Sequence, residues 1–287
     1  MGDERPPTVL EDLREIASDF HRSRDLLIQL TLRDVRIRYK QAAMGFLWAL
    51  LVPATVVLSA ILMRTLIATV SGTPMPRDTI GAVALKSLPW TFFSGALGFA
   101  TTSLTANGML LTKVYFPREV LPVASTLAQL VDATVAALAL ALVLPWLGAT
   151  ASWALLWVPV LAVVLVLLTL AAALFLSCAN VFFRDVKYLV QLGLTFGIFF
   201  TPVFWEPAML GPTWAPIAML NPLAPILEGL RLAVMEGHDL LRPLSDAAGV
   251  TVWSPWHLAY SAATAVIGGT IAILAFHRAE LILAEHV

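Results

Sequence analysis

Residues 153–183 read WALLWVPVLAVVLVLLTLAAALFLSCANVFF and contain no charged side chain. A helix needs about 20 mostly apolar residues to cross the hydrocarbon core of a bilayer, so this segment is longer than one crossing requires. We expect it to tilt in the bilayer or to continue past the membrane surface. The segment places the chain among integral membrane proteins.

The composition of the whole chain gives the same indication. Apolar residues make up 59% of the 287 positions, charged residues make up 13%, and the mean hydropathy is +0.83. Soluble domains need about 25% charged residues to cover their surface. The net charge of −1 argues against a nucleic-acid partner, because such partners usually select a strongly basic face. A single cysteine, Cys178, leaves no intrachain disulfide to form.

Outside this segment, five further apolar runs bounded by charge predict transmembrane helices. The six predicted spans cover residues 44–66, 90–106, 121–147, 153–181, 189–205 and 256–276. The second span is diluted by threonine, serine and glycine, which suit contact with another helix better than contact with lipid. We therefore predict an all-α polytopic membrane protein with six transmembrane helices, formed by one domain over residues 24–287 after a cytoplasmic tail over residues 1–23.

The stretch between the fifth and sixth spans, residues 206–255, is neither an ordinary loop nor a straight span. It is apolar but interrupted by five prolines between residues 207 and 225. Its apolar pieces are too short to cross a bilayer, and they are typical of a re-entrant segment buried against protein. We predict two half-helices that enter from the extracytoplasmic face; the alternative is an amphipathic loop outside the membrane.

The distribution of lysine and arginine predicts the orientation. With six spans, 13 of the 18 basic residues lie at the two termini or in the loops 107–120 and 184–188, which all share one side. Basic residues concentrate on the cytoplasmic side of membrane proteins. We therefore expect both termini in the cytoplasm and the protein in a bacterial cytoplasmic (inner) membrane.

A basic segment, RDLLIQLTLRDVRIRYKQ (residues 24–41), leads into the first span. Its leucines and isoleucines can occupy one helical stripe while its basic side chains point elsewhere. This pattern is typical of an amphipathic helix at the cytoplasmic leaflet, with each basic group near anionic lipid contributing about 1 kcal/mol. The alternative is a positively charged flank without a further role. The basic residues of the predicted interfacial helix are Arg33, Arg36, Arg38 and Lys40.

Five motifs in this order resemble a known family. RDVRIRYKQ and MGFLWALLVP (residues 33–53), NGMLLTKVYFPREVLP (107–122), FFRDVKY (182–188), PVFW (202–205) and NPL (221–223) are similar to segments of the membrane (permease) subunits of type-2 ABC exporters of cell-surface polysaccharides. The resemblance covers roughly residues 24–280 and favours the O-antigen or teichoic acid type. It implies a homodimeric channel for lipid-linked polysaccharide, driven by two copies of a separate ATPase subunit.

The chain itself has no GxxxxGK[ST] phosphate-binding loop, so we expect no cofactor and no metal on it, and ATP with Mg²⁺ on the partner ATPase. The 107–120 loop combines aromatic and charged residues, the mixture that interfaces favour; the alternative is a solvated loop. The resemblance implies that this loop, or the turn at residues 182–188, contacts the ATPase. The candidate docking residues are Lys113, Tyr115, Phe116, Arg118, Glu119, Arg184 and Asp185.

Aromatic residues on the second and fifth spans are candidates for lining a channel, because flat rings can contact sugars without selecting one stereochemistry. The alternative is lipid contact and core packing. Asp132 joins these candidates because an acid about 11 residues into the third span is costly and functional by default; the alternative is a neutral acid hydrogen-bonded to another helix, with Gln129 as a partner. The candidate channel residues are Trp90, Phe92, Phe93, Phe99, Asp132, Phe196, Phe200, Phe204 and Trp205.

The predicted function is export of an O-antigen-like lipid-linked polysaccharide across the cytoplasmic membrane, with no catalytic residues on this chain. The nearest alternative is a type-2 ABC exporter of a drug or another lipid. An ion-coupled secondary transporter is disfavoured because Asp132 is isolated among the spans. An intramembrane enzyme is disfavoured because all five histidines lie at span ends or outside the spans.

Overall fold

Helices form nearly all of the regular structure in the computed structural model, which describes residues 9–40, 45, 47–71, 77–113, 116–245 and 251–286. Within these ranges the helices are α1 Val9–Arg22, α2 Arg24–Tyr39, α3 Leu47–Ser71, α4 Arg77–Ala106, α5 Gly108–Lys113, α6 Val120–Val143, α7 Trp157–Phe182, α8 Val186–Phe200, α9 Gly211–Ala218, α10 Ala224–Arg231 and α11 Pro255–His286. Two short strands, β1 Leu244–Ser245 and β2 Thr251–Trp253, pair antiparallel and were not predicted.

Five helical segments in the described part of the chain are long and apolar enough to cross a membrane. They are Leu47–Val70, Thr79–Ala106, Val120–Leu147, Trp153–Phe182 and Pro255–Ala279, and the fifth predicted span falls on the shorter apolar helix α8, with 15 residues. The all-α polytopic membrane fold is confirmed. The count of six spans stays a prediction.

Helix α4 begins much earlier than the sequence analysis predicted. The second predicted span begins at residue 90, but the helix starts at Arg77 and includes Pro89. A proline removes one backbone donor, and the burial of residues 82–87 on neighbouring elements holds the helix through it. Lys86, placed by the prediction in a loop, is buried, and its ammonium group donates to the carbonyl oxygen of Trp205 at 2.8 Å.

Helix α7 holds the core together because it packs against both α4 and α11. Its charge-free sequence lets opposite faces be buried, and Leu161, Leu168 and Leu174 are all buried. One apolar cluster joins α7 to α4 and α10, and a second joins the ends of α2, α4, α6, α7 and α11 around Phe276. These two clusters fix the position of α4, the helix on which the candidate site is built.

Helices α3 and α8 lie at the edge of this core. None of the side chains of α8 is buried, and Ala60 is the one buried residue among the described side chains of α3. The exposed side chains are large and apolar, including Leu58 and Leu62 on α3 and Leu192 and Phe196 on α8. These faces can meet lipid or another polypeptide but not water.

The described part of residues 206–255 contains short helices, α9 and α10 among them, and the strands β1 and β2. Every residue of α10 is buried, which fits a piece enclosed by protein and disfavours an amphipathic surface loop. Arg231, at the end of α10, contacts carboxylates of Glu228 and Glu236 at 2.6 Å each and lies 3.9 Å from Glu206. These acids raise the pKa of Arg231 despite its burial, so the cluster is held by a permanently charged arginine.

Candidate functional site

Helix α4 presents a face of small and hydroxyl-bearing residues along the middle of the fold. The face contains Thr91, Ser94, Gly95, Gly98 and Thr102. Cavities open on both sides of it, one towards α8 and the other towards α2, α3 and α6. The polar second span predicted from sequence is therefore the helix that borders the open space in this chain.

The cavity between α4 and α8 has a volume of about 600 Å³. Hydroxyl, amide and amino groups alternate in its wall with two aromatic rings, those of Trp90 and Tyr188. Its wall is formed by Trp90, Ser94, Gly95, Gly98, Thr101, Thr102, Lys187, Tyr188, Val190, Gln191, Leu194 and Thr195. We call this cavity the α4–α8 groove. Hydroxyls and amides that donate and accept, next to flat rings, match the chemistry of a sugar surface.

The α4–α8 groove exists because α8 approaches α4 at one glycine. A β-carbon at Gly197 would lie 3.1 Å from the ring of Trp90, whereas a β-carbon at Gly193 would meet nothing within 4 Å. Gly193 and Gly197 have the GxxxG spacing that allows close contact with another helix. Within this chain, Gly197 instead accommodates Trp90.

The predicted channel aromatics do not share one surface. Phe93 is half-buried and stacks obliquely on Trp90, with ring centroids 6.2 Å apart, and Phe204 stacks in the same way on Phe199. Trp205 donates its indole N–H to the carbonyl oxygen of Phe199 at 2.9 Å. Phe196 and Phe200 are exposed on the outer side of α8.

Phe92 packs in the apolar core and also borders a cavity. Its side chain is 2% exposed, and it is one of the residues that line the cavity between α4 and helices α2, α3 and α6. Successive helical residues point about 100° apart, so Phe92 and Phe93 face different neighbours although they are adjacent in sequence.

Asp132 has partners from α2, which lies outside the predicted spans. The guanidinium group of Arg38 on α2 forms an ion pair with the carboxylate of Asp132, and the hydroxyl of Tyr39 donates to the other oxygen at 2.5 Å. Arg38 also donates to Gln129 at 2.8 Å. The sequence signal that could have revealed this pairing is the matching helical spacing of Asp34 and Arg38 with Ser125, Gln129 and Asp132.

The four basic residues predicted for an interfacial helix divide into two groups. Arg36 and Lys40 are exposed, as lipid contact requires. Arg33 pairs with its neighbour Asp34 at 2.9 Å, and Arg38 turns towards α6. Helix α2 thus packs along the first half of α6, and only part of its charge is available to a membrane surface.

Two of the predicted docking residues are turned inward. Phe116 is 7% exposed and packs in the second apolar cluster, and Glu119 is buried with its carboxylate 3.6 Å from the ring of His277. In this conformation the cost of leaving Phe116 bare is avoided by contacts within the chain, and the role of both residues in docking stays a prediction. Arg118 is half-buried, Lys113 ends α5 without a described side chain, and Tyr115 lies outside the described residues.

The turn between α7 and α8 is the exposed part of the predicted docking surface. Arg184 and Asp185 are both exposed, and Phe183 beside them is 70% exposed. The side-chain oxygen of Asn180 accepts the backbone N–H of Lys187 at 3.1 Å and so fixes the shape of the turn. Phe183 was quoted in a family motif but not chosen as a docking residue, because sequence alone does not show which of two adjacent phenylalanines faces out.

Helix α1 is held against the end of α11 by charge. The guanidinium of Arg278 donates twice to the buried carboxylate of Asp12, at 2.9 and 3.0 Å. The ring of His277 lies 3.9 Å from Glu15 on α1. These contacts join α1, α6 and α11 beside the loop that contains Phe116.

Long apolar helices around a polar groove are the architecture of a polytopic membrane transport protein. The description "ABC-2 type transporter" matches residues 26–235, and the chain belongs to this family. It is 30% identical over 246 residues to the "O-antigen export system permease protein RfbA" of Myxococcus xanthus, covering 84% of this chain and 92% of that protein. It is 27% identical over 214 residues to the protein of the same name from Klebsiella pneumoniae, covering 74% of this chain and 81% of that protein. The resemblance to type-2 ABC exporter permeases is confirmed.

Proposed function

We propose that this chain is the membrane subunit of an ATP-driven exporter that moves an O-antigen-like, lipid-linked polysaccharide across the bacterial cytoplasmic membrane. The observation that carries the proposal is the α4–α8 groove: a wall rich in hydroxyls and amides, with Trp90 and Tyr188, in a chain whose relatives are named for O-antigen export. A drug exporter of the same family would be expected to offer an apolar pocket instead.

The glycan runs along the polar face of α4. A polymer that slides must not be held at one position by strong pairs, and Trp90, Thr102 and Gln191 offer a surface of weak, repeated contacts. Asp132 and Phe99 line the cavity on the other side of α4 and are further candidates for contact, as is Trp205. ATP and Mg²⁺ bind to the separate ATPase, and this chain holds no cofactor.

Two copies of the chain form the channel. Leu189, Leu192, Phe196 and Phe200 follow one another at helical spacing on α8, and all are exposed. Together with the exposed apolar face of α3, they give each copy a surface suited to the other. The groove beside α8 then borders the interface between the copies.

The ATPase binds at the cytoplasmic side, where the α7–α8 turn is exposed and Arg118 is half-buried. An exposed phenylalanine flanked by Arg184 and Asp185 has the composition of an interface anchor. Both chain ends lie on this side, as the excess of basic residues there requires.

A bacterium that lacks its O-antigen permease but keeps the cognate ATPase tests the proposal. Expression of this chain with the ATPase of its own export system should restore polysaccharide at the cell surface, and ATP hydrolysis by the purified complex should rise with lipid-linked glycan. Failure to bind the ATPase, or hydrolysis stimulated only by an apolar drug or another lipid, overturns the proposal.

The groove is tested by filling it. Gly98 borders the groove, and a side chain there has open space, so Gly98→Trp should fold and block export while Gly98→Ala is tolerated. Val266→Trp on α11, also exposed but outside the groove, is the matched control. Equal export by Gly98→Trp and Val266→Trp would exclude the groove as the route.

A further inference from the structure

Helices α2 and α6 contact each other through polar residues at matching positions. The hydroxyl of Ser125 donates to the carboxylate of Asp34 at 3.2 Å. One turn further along α2, Arg38 donates to Gln129 and pairs with Asp132. Two contacts in the same register show that the last turns of α2 lie alongside the first half of α6.

Asp132 is the centre of the second contact. It is 6% exposed, and an aspartate inside an apolar span costs about 2.5–3.5 kcal/mol unless it has partners. Its partners Arg38 and Tyr39 both come from the last turn of α2, and burial followed by the hydrogen bond to Asp132 raises the pKa of Tyr39, which keeps its hydroxyl a donor. If α2 shifts along α6, Asp132 therefore loses Arg38 and Tyr39 at the same time.

Arg38 also contacts an aromatic ring on α4. Its guanidinium carbon lies 4.3 Å from the ring centroid of Phe99, within the range of a cation–π contact. Phe99 is 52% exposed, so the ring is covered by Arg38 while part of it remains open. Arg38 therefore connects α2, α4 and α6 through a single side chain.

Two cavities meet at this contact. One, of about 240 Å³, is bordered by Asp34, Ser103 and Asn107 at the end of α4. The other, of about 280 Å³, is bordered by Trp48, Thr91 and Asp132 nearer the middle of α4. Both cavities have Arg38 and Phe99 in their walls, so these two side chains form the partition between them.

We propose that Arg38 and Phe99 form a gate between the two cavities, and that Asp132 is the positioning residue that holds the gate closed. Asp132 and Gln129 hold the guanidinium over Phe99, and Tyr39 in turn donates to Asp132. Opening requires α2 to move relative to α6, because Arg38 and Tyr39 both belong to α2. The inference rests on the proposed function, since the gate controls access to the transport route along α4.

Thiol labelling tests the gate without any glycan. In a Cys178→Ser background, Thr91→Cys places a thiol in the cavity of about 280 Å³, and Asn107→Cys places one in the cavity of about 240 Å³. A membrane-impermeant maleimide is applied to membrane vesicles from the side on which the Asn107→Cys thiol reacts. With the gate closed, the Thr91→Cys thiol should react slowly.

Asp132→Asn keeps the shape of the side chain and removes the ion pair. A change of about 1.4 kcal/mol in the balance between closed and open states is a tenfold change in their ratio, so we expect labelling at Thr91→Cys to rise at least about tenfold. Labelling at Asn107→Cys should not change. The double variant Arg38→Asp with Asp132→Arg should restore slow labelling at Thr91→Cys.

Unchanged labelling at Thr91→Cys in Asp132→Asn overturns the gate, and so does an equal rise at both thiols, which indicates general loosening. If Asp132→Asn does not accumulate in membranes, Arg38→Gln is used instead, because it also removes the ion pair. The labelling rates at Thr91→Cys and Asn107→Cys are then compared in the same way. Export is measured in parallel: gated labelling without polysaccharide export would reject the proposed function and keep the gate, whereas export without gated labelling would do the reverse.

Discussion

The ring of Trp90 on α4 occupies the space that a side chain at Gly197 on α8 would need. An added β-carbon at Gly197 would lie 3.1 Å from the indole, closer than ordinary van der Waals contact. Glycine at this position therefore sets how closely the two helices approach and how wide the α4–α8 groove is.

Alanine at the two glycines of α8 should have different effects on stability. Alanine is favoured over glycine in a helix by about 1 kcal/mol, so Gly193→Ala, which meets open space, should raise the melting temperature. Gly197→Ala should lose this gain to the contact with Trp90. Thermal unfolding of the purified protein in detergent measures both, and equal shifts would contradict the Trp90–Gly197 contact.

Lys86→Met should destabilise the fold more than a surface change. The substitution keeps the apolar stem of Lys86 and removes the ammonium that donates to the carbonyl oxygen of Trp205. A buried carbonyl without a donor costs about 1–3 kcal/mol. Lys187→Met, at an exposed lysine, should stay within about 0.5 kcal/mol of the parent chain in chemical denaturation. Equal losses for the two variants would contradict the structural role of Lys86.

Two substitutions in the charged cluster around Arg231 should differ in how much they destabilise the protein. Arg231→Met leaves the fully buried Glu228 without its partner, and breaking a buried pair from one side costs about 3–5 kcal/mol. Glu236→Gln alters the exposed end of the cluster and should cost about 0–1 kcal/mol. Membrane accumulation and unfolding midpoints rank the two variants, and the reverse order would contradict this account.

The α7–α8 turn should bind the ATPase through Phe183. Phe183→Ser removes a 70% exposed ring from the turn and should lower the amount of ATPase that co-purifies, without changing membrane levels of the chain. Phe175→Ser, also exposed but within α7, is the control and should not affect co-purification. ATPase recovery that is unchanged in Phe183→Ser would remove this residue from the interface.

Phe116→Glu is expected to behave differently from Phe183→Ser. Phe116 lies in the second apolar cluster, so an unpaired glutamate there is destabilising by several kcal/mol and should reduce membrane levels. Quantitative blotting of membranes distinguishes the two cases. Normal levels of Phe116→Glu together with loss of the ATPase would restore Phe116 to the docking surface.

Much of the fold could be predicted from the sequence because the membrane makes the signal strong. A run such as residues 153–183 can only be satisfied by a helix in lipid or protein, so its helix was located to within a few residues. The start of α4 was missed because Lys86 and Pro89 are signs of a loop when no partner is known. Trp205, 119 residues away, supplies that partner.

The candidate site was harder to predict because it depends on which side chains meet. Asp132 and Arg38 are 94 residues apart, and hydrophobic pattern carries no information about such a pair. The same limit explains Phe116 and Phe183, whose exposure depends on α2, α6 and α11 for the first and on the end of α7 for the second. Composition does show that the second predicted span is rich in threonine, serine and glycine, and this feature predicted that the helix faces protein more than lipid.

The pair between Asp12 and Arg278 has a consequence for how the protein is made. The partners are 266 residues apart, so during synthesis at about 5–20 residues per second the first helix waits on the order of ten seconds or more for the last one. Until then, the carboxylate of Asp12 and the apolar side chain of Ile16 on α1, both buried in the folded chain, lack their final contacts. The Asp12–Arg278 pair therefore forms only after α11 has been synthesised. In a polypeptide truncated before α11, Asp12 on α1 would lack this partner.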